Sequence, residues 1–331
     1  MAKKFIKGGI LSSNQLEDIS GKKWKKGGIL SATQLNKLTG GNEEPTPEVD
    51  PDERLQKFLN GTINGTVAMD NWATWWDGNY NRTGLRPRHF ADLRNISKIV
   101  LPSPEKYTNQ LYFGDYAFYY CRNLKEVENF PSNIYKISAH CFELSNLQPT
   151  FEVPVGVTWI DTYAFYKNYN LEEIILPNTI RRLGKHWISD TGIKTLDLSH
   201  IAANLEGTTG NYPTEPFTLT DLSGLENLNI SGYKGYFSEL SNCKSLKKLV
   251  LPEGVTVIGG ISSNDSTYVF KGTKIQDGLY LPSTITRISS KAFSSLDAEI
   301  YCDFAEGAVS GAPWGGNASR IHYNVPLPNA E

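Results

Sequence analysis

Apolar residues return along this chain with a period of about 23 residues, and the period is set by two short patterns. The first reads Leu-x-x-Ile-x-Leu-Pro, as in ISKIVLP ending at Pro102, LEEIILP ending at Pro177 and LKKLVLP ending at Pro252. The second is a Thr/Ile turn followed by an Ala-Phe-like pair: Ala117-Phe118, Cys141-Phe142, Ala164-Phe165, Trp187-Ile188, Val269-Phe270 and Ala292-Phe293. Offsets at the Phe position are 24, 23 and 23 from Phe118 to Ile188, and 23 again from Phe270 to Phe293. Residues 151–198 carry the unit twice, with Pro154 and Pro177 in the same place. A short strand, a proline turn and a second short segment with its Phe inward make one coil of a solenoid. Each coil buries its Leu, Ile and Phe only by stacking on its neighbours. The predicted fold class is therefore a repeat solenoid, mainly β with short helical or irregular segments.

Departures from the period mark the predicted boundaries. Residues 96–323 form the solenoid, and 199–241 interrupt it with a Gly-, Thr- and Pro-rich insertion read as a loop projecting from one face. Insertions in solenoids map to loops on one face, often the binding face. The glycine-rich end around Trp314 reads as a closing cap, and 324–331 as a tail. Residues 54–95 read as an N-terminal cap that hides the first coil's apolar edge. Within it Trp72, Trp75 and Trp76 have a spacing that puts them on or near one helical face. Burial in the cap accounts for them, and a sugar-stacking platform is the functional alternative.

Residues 42–53, NEEPTPEVDPDE, are an acidic, Pro-rich spacer. Before it, residues 1–41 repeat FIKGGILSSNQLEDISGK as KWKKGGILSATQLNKLTGG at an offset of 19. Ser12 to Gln15 and Ser31 to Gln34 both fit the S-x-x-Q capping box. Each copy is expected to be an extended Gly-Gly-Ile-Leu piece followed by a short capped helix. Gly8, Gly9, Ile10, Leu11, Gln15 and Leu16 in one copy match Gly27, Gly28, Ile29, Leu30, Gln34 and Leu35 in the other. A helix of two turns is not stable alone in water, so this doubled motif is expected to order against a partner as an anchor.

Composition changes the picture at two points. Net charge is only -2, but residues 1–41 carry eight Lys against Glu17 and Asp18, a net +6 that leaves -8 for the rest. The chain is a basic tail on an acidic body; without a compact basic fold, nucleic acid is not the expected partner. No apolar run of about 18 residues exists to insert into a bilayer. The N-terminus, where Lys7, Gly8 and Gly9 interrupt any apolar stretch, reads as lacking a secretory leader.

Candidate chemistry is sparse. Aligning the coils puts Tyr116, His140, Tyr163, His186, Tyr268 and Lys291 in one column just before the Phe position. Such a ring ladder either contacts carbohydrate by its faces or stiffens the solenoid. His89, His200 and His322 have no HExxH spacing and no recognisable carboxylate partner, so no metal is expected. Cys121, Cys141, Cys243 and Cys302 form no CxxC pair and read as reduced, mostly buried thiols. No nucleophile elbow, Walker loop or Rossmann glycine pattern occurs, so neither catalysis nor a cofactor is expected. An outward strand column of Val100, Ile175, Val250 and Tyr280, with Asp197 and Asn229 in the irregular coils, reads as an apolar strip that needs a cover.

The repeat resembles the BspA-type leucine-rich repeat, with a consensus close to LxxIxLPxxVTxIgxyAFxxCxxL. VPVGVTWIDTYAFYKNYNLEEIILP and LPEGVTVIGG carry the likeness, which covers residues 96 to about 323. The resemblance implies a leucine-rich repeat solenoid and a surface protein that binds host matrix components or other cells. The tandem GGILSxxQL motif is similar to N-terminal segments of phage fibre proteins. Together these imply a non-enzymatic attachment protein on a bacteriophage virion surface, a fibre or capsid decoration. Its N-terminus would bind a capsid or tail protein and its solenoid a host glycan or protein, with a homotrimer expected from fibre precedent alone. A bacterial cell-surface or secreted adhesin is the alternative, and a carbohydrate-active enzyme the third reading.

Overall fold

The computed structural model describes residues 65–68, 73–76, 81–102, 110–205, 217–260 and 265–328. Two columns of short parallel strands run through it. The first is made by the Leu-x-x-Ile-x-Leu segments: Gly65–Ala68, Ile96–Val100 and Glu126–Glu128 pair in that order, then Thr150–Glu152 with Glu173–Ile175 and Thr195–Asp197 with Asn227–Asn229. Leu249–Val250, Leu279–Leu281, Ile300–Cys302 and Ile321–Tyr323 complete it. The second column runs Asn81–Leu85, Leu111–Phe113, Ile134–Ile137, Trp159–Ile160 and Arg182–Leu183, then resumes as Phe217–Thr220, Lys234–Ser241, Gly254–Ile258 and Arg287–Ile288. Parallel neighbours need a long connection, and here the rest of each coil supplies it.

The corner between the columns is written in the sequence. Where a first strand runs into Pro, the proline carbonyl accepts the N–H three residues on: Val157 to Pro154 at 3.0 Å, Ile180 to Pro177 at 3.2 Å, Val255 to Pro252 at 2.9 Å. Coils then approach closely at this corner. A Cβ added to Gly156 would lie 1.9 Å from the Ser132 carbonyl oxygen, and one added to Gly254 would lie 2.4 Å from that of Tyr233. The glycines of PVGVT and PEGVT are thus contact residues between coils.

Inside, the Phe positions stack along the solenoid. Phe90, Phe118, Phe142 and Phe165 follow one another at 5.5, 4.7 and 5.4 Å, all within 11° of parallel. A second run of Phe217, Phe237, Phe270 and Phe293 is spaced at 5.1, 5.8 and 5.7 Å. Trp314 closes it edge-on at 5.9 Å, its indole N–H donating to the Ser310 carbonyl at 2.8 Å. Burying each such ring stabilises by roughly 1.5–3 kcal/mol, and only a stacked neighbour provides the cover.

A polar ladder runs beside the Phe column, three residues further along each coil. Cys121, Ser145, Asn168 and Thr273 donate from their side chains to the carbonyls of Phe90, Phe118, Phe142 and Leu240, in the preceding coil, at 2.9, 2.5, 2.7 and 2.7 Å. Four residue types do one job, satisfying a buried acceptor that the turn leaves without a full complement of backbone donors. Cys121 is therefore a donor as well as an apolar filler. All four cysteines are unpaired and buried.

Three expectations need correction. Ala73–Trp76 is a strand, antiparallel to Asn81–Leu85 with Trp75 opposite Arg82 and Trp76 opposite Asn81, so these residues lie on no helix. The spacing alone is compatible with either element, and the partner strand decides it. Trp72 lies outside the described residues, as do the N-terminal motif and the spacer. Residues 81–95 belong to the first described coil rather than to a separate cap: Arg88, Phe90 and Asp92 donate to the carbonyls of Asp115, Ala117 and Tyr119. Finally, much of 199–241 is regular solenoid. Phe217–Thr220 pairs with Lys234–Ser241, and Asn227–Asn229 pairs with Thr195–Asp197. The irregular part narrows to the four-residue helix Ser199–Ala202 and residues 203–205, with 206–216 outside the described residues. The long separation in sequence hides a coil that pairs with its neighbours in both strand columns, with a register shift between Phe217 and Thr218.

The expected apolar outward strip is also broken. Val100 pairs with Glu128, and Ile175 with Glu152, so carboxylates interleave with the apolar positions. Lys98 reaches across to Glu126 and Glu128, making that part of the face an ion-paired one. Among the described residues no helix is long and apolar enough to cross a membrane.

Candidate functional site

Four successive coils close through a six-residue turn, at 115–120, 139–144, 162–167 and 185–190, with the ring position as its second residue, and these turns build a continuous side-chain array outside the core. Two residues per turn, four apart, take left-handed backbone: Tyr116 and Tyr120, His140 and Leu144, Tyr163 and Lys167, His186 and Asp190, with φ between 54° and 61°. Such a conformation costs a non-glycine residue on the order of 1 kcal/mol. Bonds to the next coil offset it. Tyr116 donates to Ala139, His140 to Thr162 and Tyr163 to Lys185, at 3.0, 3.0 and 3.1 Å. Tyr120, Leu144 and Lys167 donate to Glu143, Tyr166 and Ser189 at 2.8, 2.9 and 3.0 Å.

Locked this way, the first ring of each turn stacks on the next. Tyr116 and His140 lie 4.4 Å apart and 4° from parallel, His140 and Tyr163 5.0 Å and 20°, Tyr163 and His186 4.9 Å and 5°. The Arg88 guanidinium covers the free end of the stack, 4.6 Å from the Tyr116 ring centre. At the other end His186 Nδ1 meets the Thr220 hydroxyl at 2.5 Å. His140 Nδ1 meets the Glu143 carboxylate, leaving Nε2 as the ring nitrogen for other contacts. The column read from the sequence is thus a physical ladder from Tyr116 to His186. It stops there: the strand Phe217–Thr220 replaces the next turn, and Tyr268, 44% exposed, stands apart with Lys291 5.4 Å from its ring centre.

Stacking decides how this array could meet a ligand. The faces of Tyr116, His140 and Tyr163 are occupied by their neighbours, so a sugar cannot stack on them. What they offer is their edges: phenol hydroxyls and imidazole nitrogens, one per coil.

Rings that the column alignment missed widen the site. Tyr119 and Tyr166 pack edge-on against Tyr116 and Tyr163 at 5.4 and 5.2 Å, and Tyr120 lies 5.8 Å from Tyr119. Burial first, then the carboxylates of Glu143 and Asp92, hold the Tyr119 phenol above its usual range, so it stays a proton donor. Arg94 and Arg122 sit 4.7 and 4.0 Å from the Tyr120 ring centre, and Lys167 4.9 Å from that of Tyr166. Their signal in the sequence is the aromatic run YAFYYC, in which only the first Tyr falls on the column.

Two smaller arrays lie on the strand faces. Trp159 is flanked by Lys136 at 3.7 Å and Arg182 at 4.7 Å from its ring, with Lys136 also paired to Asp161 at 2.7 Å. Tyr280, Tyr301 and His322 stack at 4.7 and 5.0 Å on the other strand column, with His322 Nε2 2.7 Å from Glu299. Burial pushes the thiols of Cys121, Cys243 and Cys302 up to about 12 and Cys141 higher than usual, unsuited to nucleophilic work at neutral pH. Among the described residues no group of His, Cys, Asp and Glu is placed to hold a metal.

Stacked parallel strands, a Phe core and recurrent proline corners define a leucine-rich repeat solenoid. The chain belongs to the BspA type leucine-rich repeat family, whose repeats match residues 83–208 and 218–299 in six copies. It is similar in structure to a T. pallidum leucine-rich repeat protein, at 17% identity over 55% of this chain and 77% of that one, with a TM-score of 0.36. A leucine-rich cell surface protein of Faecalibacterium prausnitzii matches at 16% identity over 80% and 89% of the two chains, with a TM-score of 0.29. Comparison with curated proteins gives no match.

Proposed function

We propose that this is a non-enzymatic attachment protein whose solenoid meets a glycan or protein on a host surface. The observation that carries the proposal is the ladder from Arg88 to His186, which holds polar ring edges at one per coil along the turn face. A rigid row of donors and acceptors suits recognition of an extended ligand, because little side-chain freedom is lost on binding. The doubled Gly-Gly-Ile-Leu motif of residues 1–41 is read as the anchor, holding the solenoid to a phage capsid or tail. Family membership favours a second reading, a bacterial cell-surface or secreted adhesin.

Localisation separates the two. In a culture making both virions and this chain, an antibody to the solenoid should detect it in purified particles, and deleting residues 1–41 should remove it from them. Incorporation that survives the deletion overturns the anchor, and detection only in the cell envelope or medium replaces the virion with the adhesin. Attachment is read by applying the labelled full chain to the host cells. Tyr163→Ala, which removes the central rung, should cut binding several-fold; undiminished binding would leave the ladder a stiffener.

A further inference from the structure

We infer that the turn face of the first coils binds an acidic polysaccharide, one whose sugar units carry carboxylate or sulfate groups. The inference rests on the attachment reading and names the ligand class. Three guanidiniums converge on this face from two neighbouring coils. Arg88 lies over Tyr116 at 4.6 Å and reaches Tyr119 at 5.9 Å, while Arg94 and Arg122 lie against Tyr120 at 4.7 and 4.0 Å. All three are exposed. Among the described residues none of them pairs with a carboxylate; Arg88 and Arg94 rest on tyrosine rings, and Arg122 lies against the Tyr120 ring while one of its terminal nitrogens donates to the Tyr120 hydroxyl. These contacts fix the guanidiniums in place without neutralising their charge, so the remaining donors stay available for an anion. The acidic groups of this face do not cancel the set. Glu143 is engaged with His140, and the exposed Asp92 and Asp115 stand against Arg88, Arg94, Arg122 and, one turn further along the face, Lys167.

Geometry selects among polyanions. The ladder places a polar ring edge every 4.4, 5.0 and 4.9 Å, close to the advance of one pyranose unit in an extended glycan. An extended peptide advances only about 3.3 Å per residue and would fall out of step within three coils. Single-stranded nucleic acid draws much of its affinity from bases stacked on open aromatic faces. Here the faces of Tyr116, His140 and Tyr163 are already taken. A sugar chain needs only the edges: hydroxyls bonding to Tyr and His, and acid groups reaching the arginines at the N-terminal end of the face.

The test uses the full chain and titration calorimetry at two salt concentrations. Polygalacturonate and dextran sulfate serve as carboxylate and sulfate probes, uncharged dextran as the neutral chain and oligothymidylate as the nucleic-acid polyanion. At least one acidic glycan should bind, dextran should not, and oligothymidylate should bind at least ten-fold more weakly. The combined Arg88→Gln, Arg94→Gln and Arg122→Gln variant, its fold checked by unfolding midpoint, should lose ten-fold or more in affinity and much of the salt dependence. Tyr163→Phe, which keeps the ring and removes the hydroxyl, should weaken binding by a few-fold with the salt dependence unchanged. Equal binding of oligothymidylate, or unchanged affinity in the triple variant, overturns the inference. Host-cell attachment is measured on the same variants. Cells that bind the triple variant as well as the unaltered chain refute the acidic glycan while the attachment reading stands, and cells that bind neither refute attachment itself.

Discussion

Asn168 gives the most direct test of what holds one coil on the next. Its side chain is fully buried. The amide donates to the carbonyls of Phe142 at 2.7 Å and Phe165 at 2.9 Å, and its oxygen accepts from the Leu147 N–H at 3.2 Å. Asn168→Ala removes all three bonds and leaves the backbone groups where water cannot reach them. The Phe142 carbonyl keeps a weaker bond from the Ser145 N–H at 3.3 Å, so its loss is partial. A buried polar group left unpaired costs about 1–3 kcal/mol, and two groups are left in that state. The expected destabilisation is about 3 kcal/mol. Ser145→Ala at the equivalent position breaks one bond, to the Phe118 carbonyl, which retains the Cys121 N–H at 3.4 Å. That change should cost only about 1 kcal/mol. Urea unfolding followed by circular dichroism measures both, with the slope compared among variants because repeat arrays lose cooperativity when one interface weakens. If Asn168→Ala loses less than about 1 kcal/mol, or no more than Ser145→Ala, the polar ladder is not what satisfies these turns.

Three further outcomes are expected. Gly156→Ala puts a methyl 1.9 Å from the Ser132 carbonyl oxygen, so the two coils must separate; we expect a loss of at least about 2 kcal/mol by thermal unfolding, and a neutral result would disprove the close contact. Burial first, and Arg86 second, hold His89 down to about 4 from an unfolded value of 6.5, so the folded state keeps it neutral. Its contribution is complete above 6.5 and fades as pH falls towards 4, on the order of 3 kcal/mol in all. His89→Asn should flatten that part of the stability profile, and an unchanged slope would refute the assignment. The four buried thiols should resist a thiol reagent in the native protein and react on unfolding, and fast native labelling would contradict their burial.

The period and its inward Phe, Ile and Leu positions are legible in the sequence because every coil repeats one buried chemistry. So is the ladder from Tyr116 to His186, since each ring keeps its distance to the Phe. Other features lack such a signature. The rungs Cys121, Ser145, Asn168 and Thr273 stand at the consensus Cys position but do their work with four different side chains, so the residue types there do not show that the position is a hydrogen-bond donor. Trp75 and Trp76 read as helical because their pairing partner, Asn81 to Leu85, carries a weak strand signal of its own. The coil within 199–241 is obscured by the residues before it, and Arg94 and Arg122 meet at Tyr120 from two coils. Contacts between non-repeating side chains become visible only once the coils are stacked.

The Phe column has a gap. It runs unbroken from Phe90 to Phe165 and again from Phe217 to Phe293, but Trp187 and Ile188 stand between the runs, and the second strand column pauses at the same level, between Leu183 and Phe217. Bonds between coils point along the solenoid axis. A pull on the two ends therefore loads the interfaces in series, like links of a chain, and the weakest one yields first. At this level the load falls on the pairing of Thr195–Asp197 with Asn227–Asn229 and on the bonds of His186 and Ser189 to Thr220, without a continuous Phe stack beside them, so this interface should yield before those within either stack.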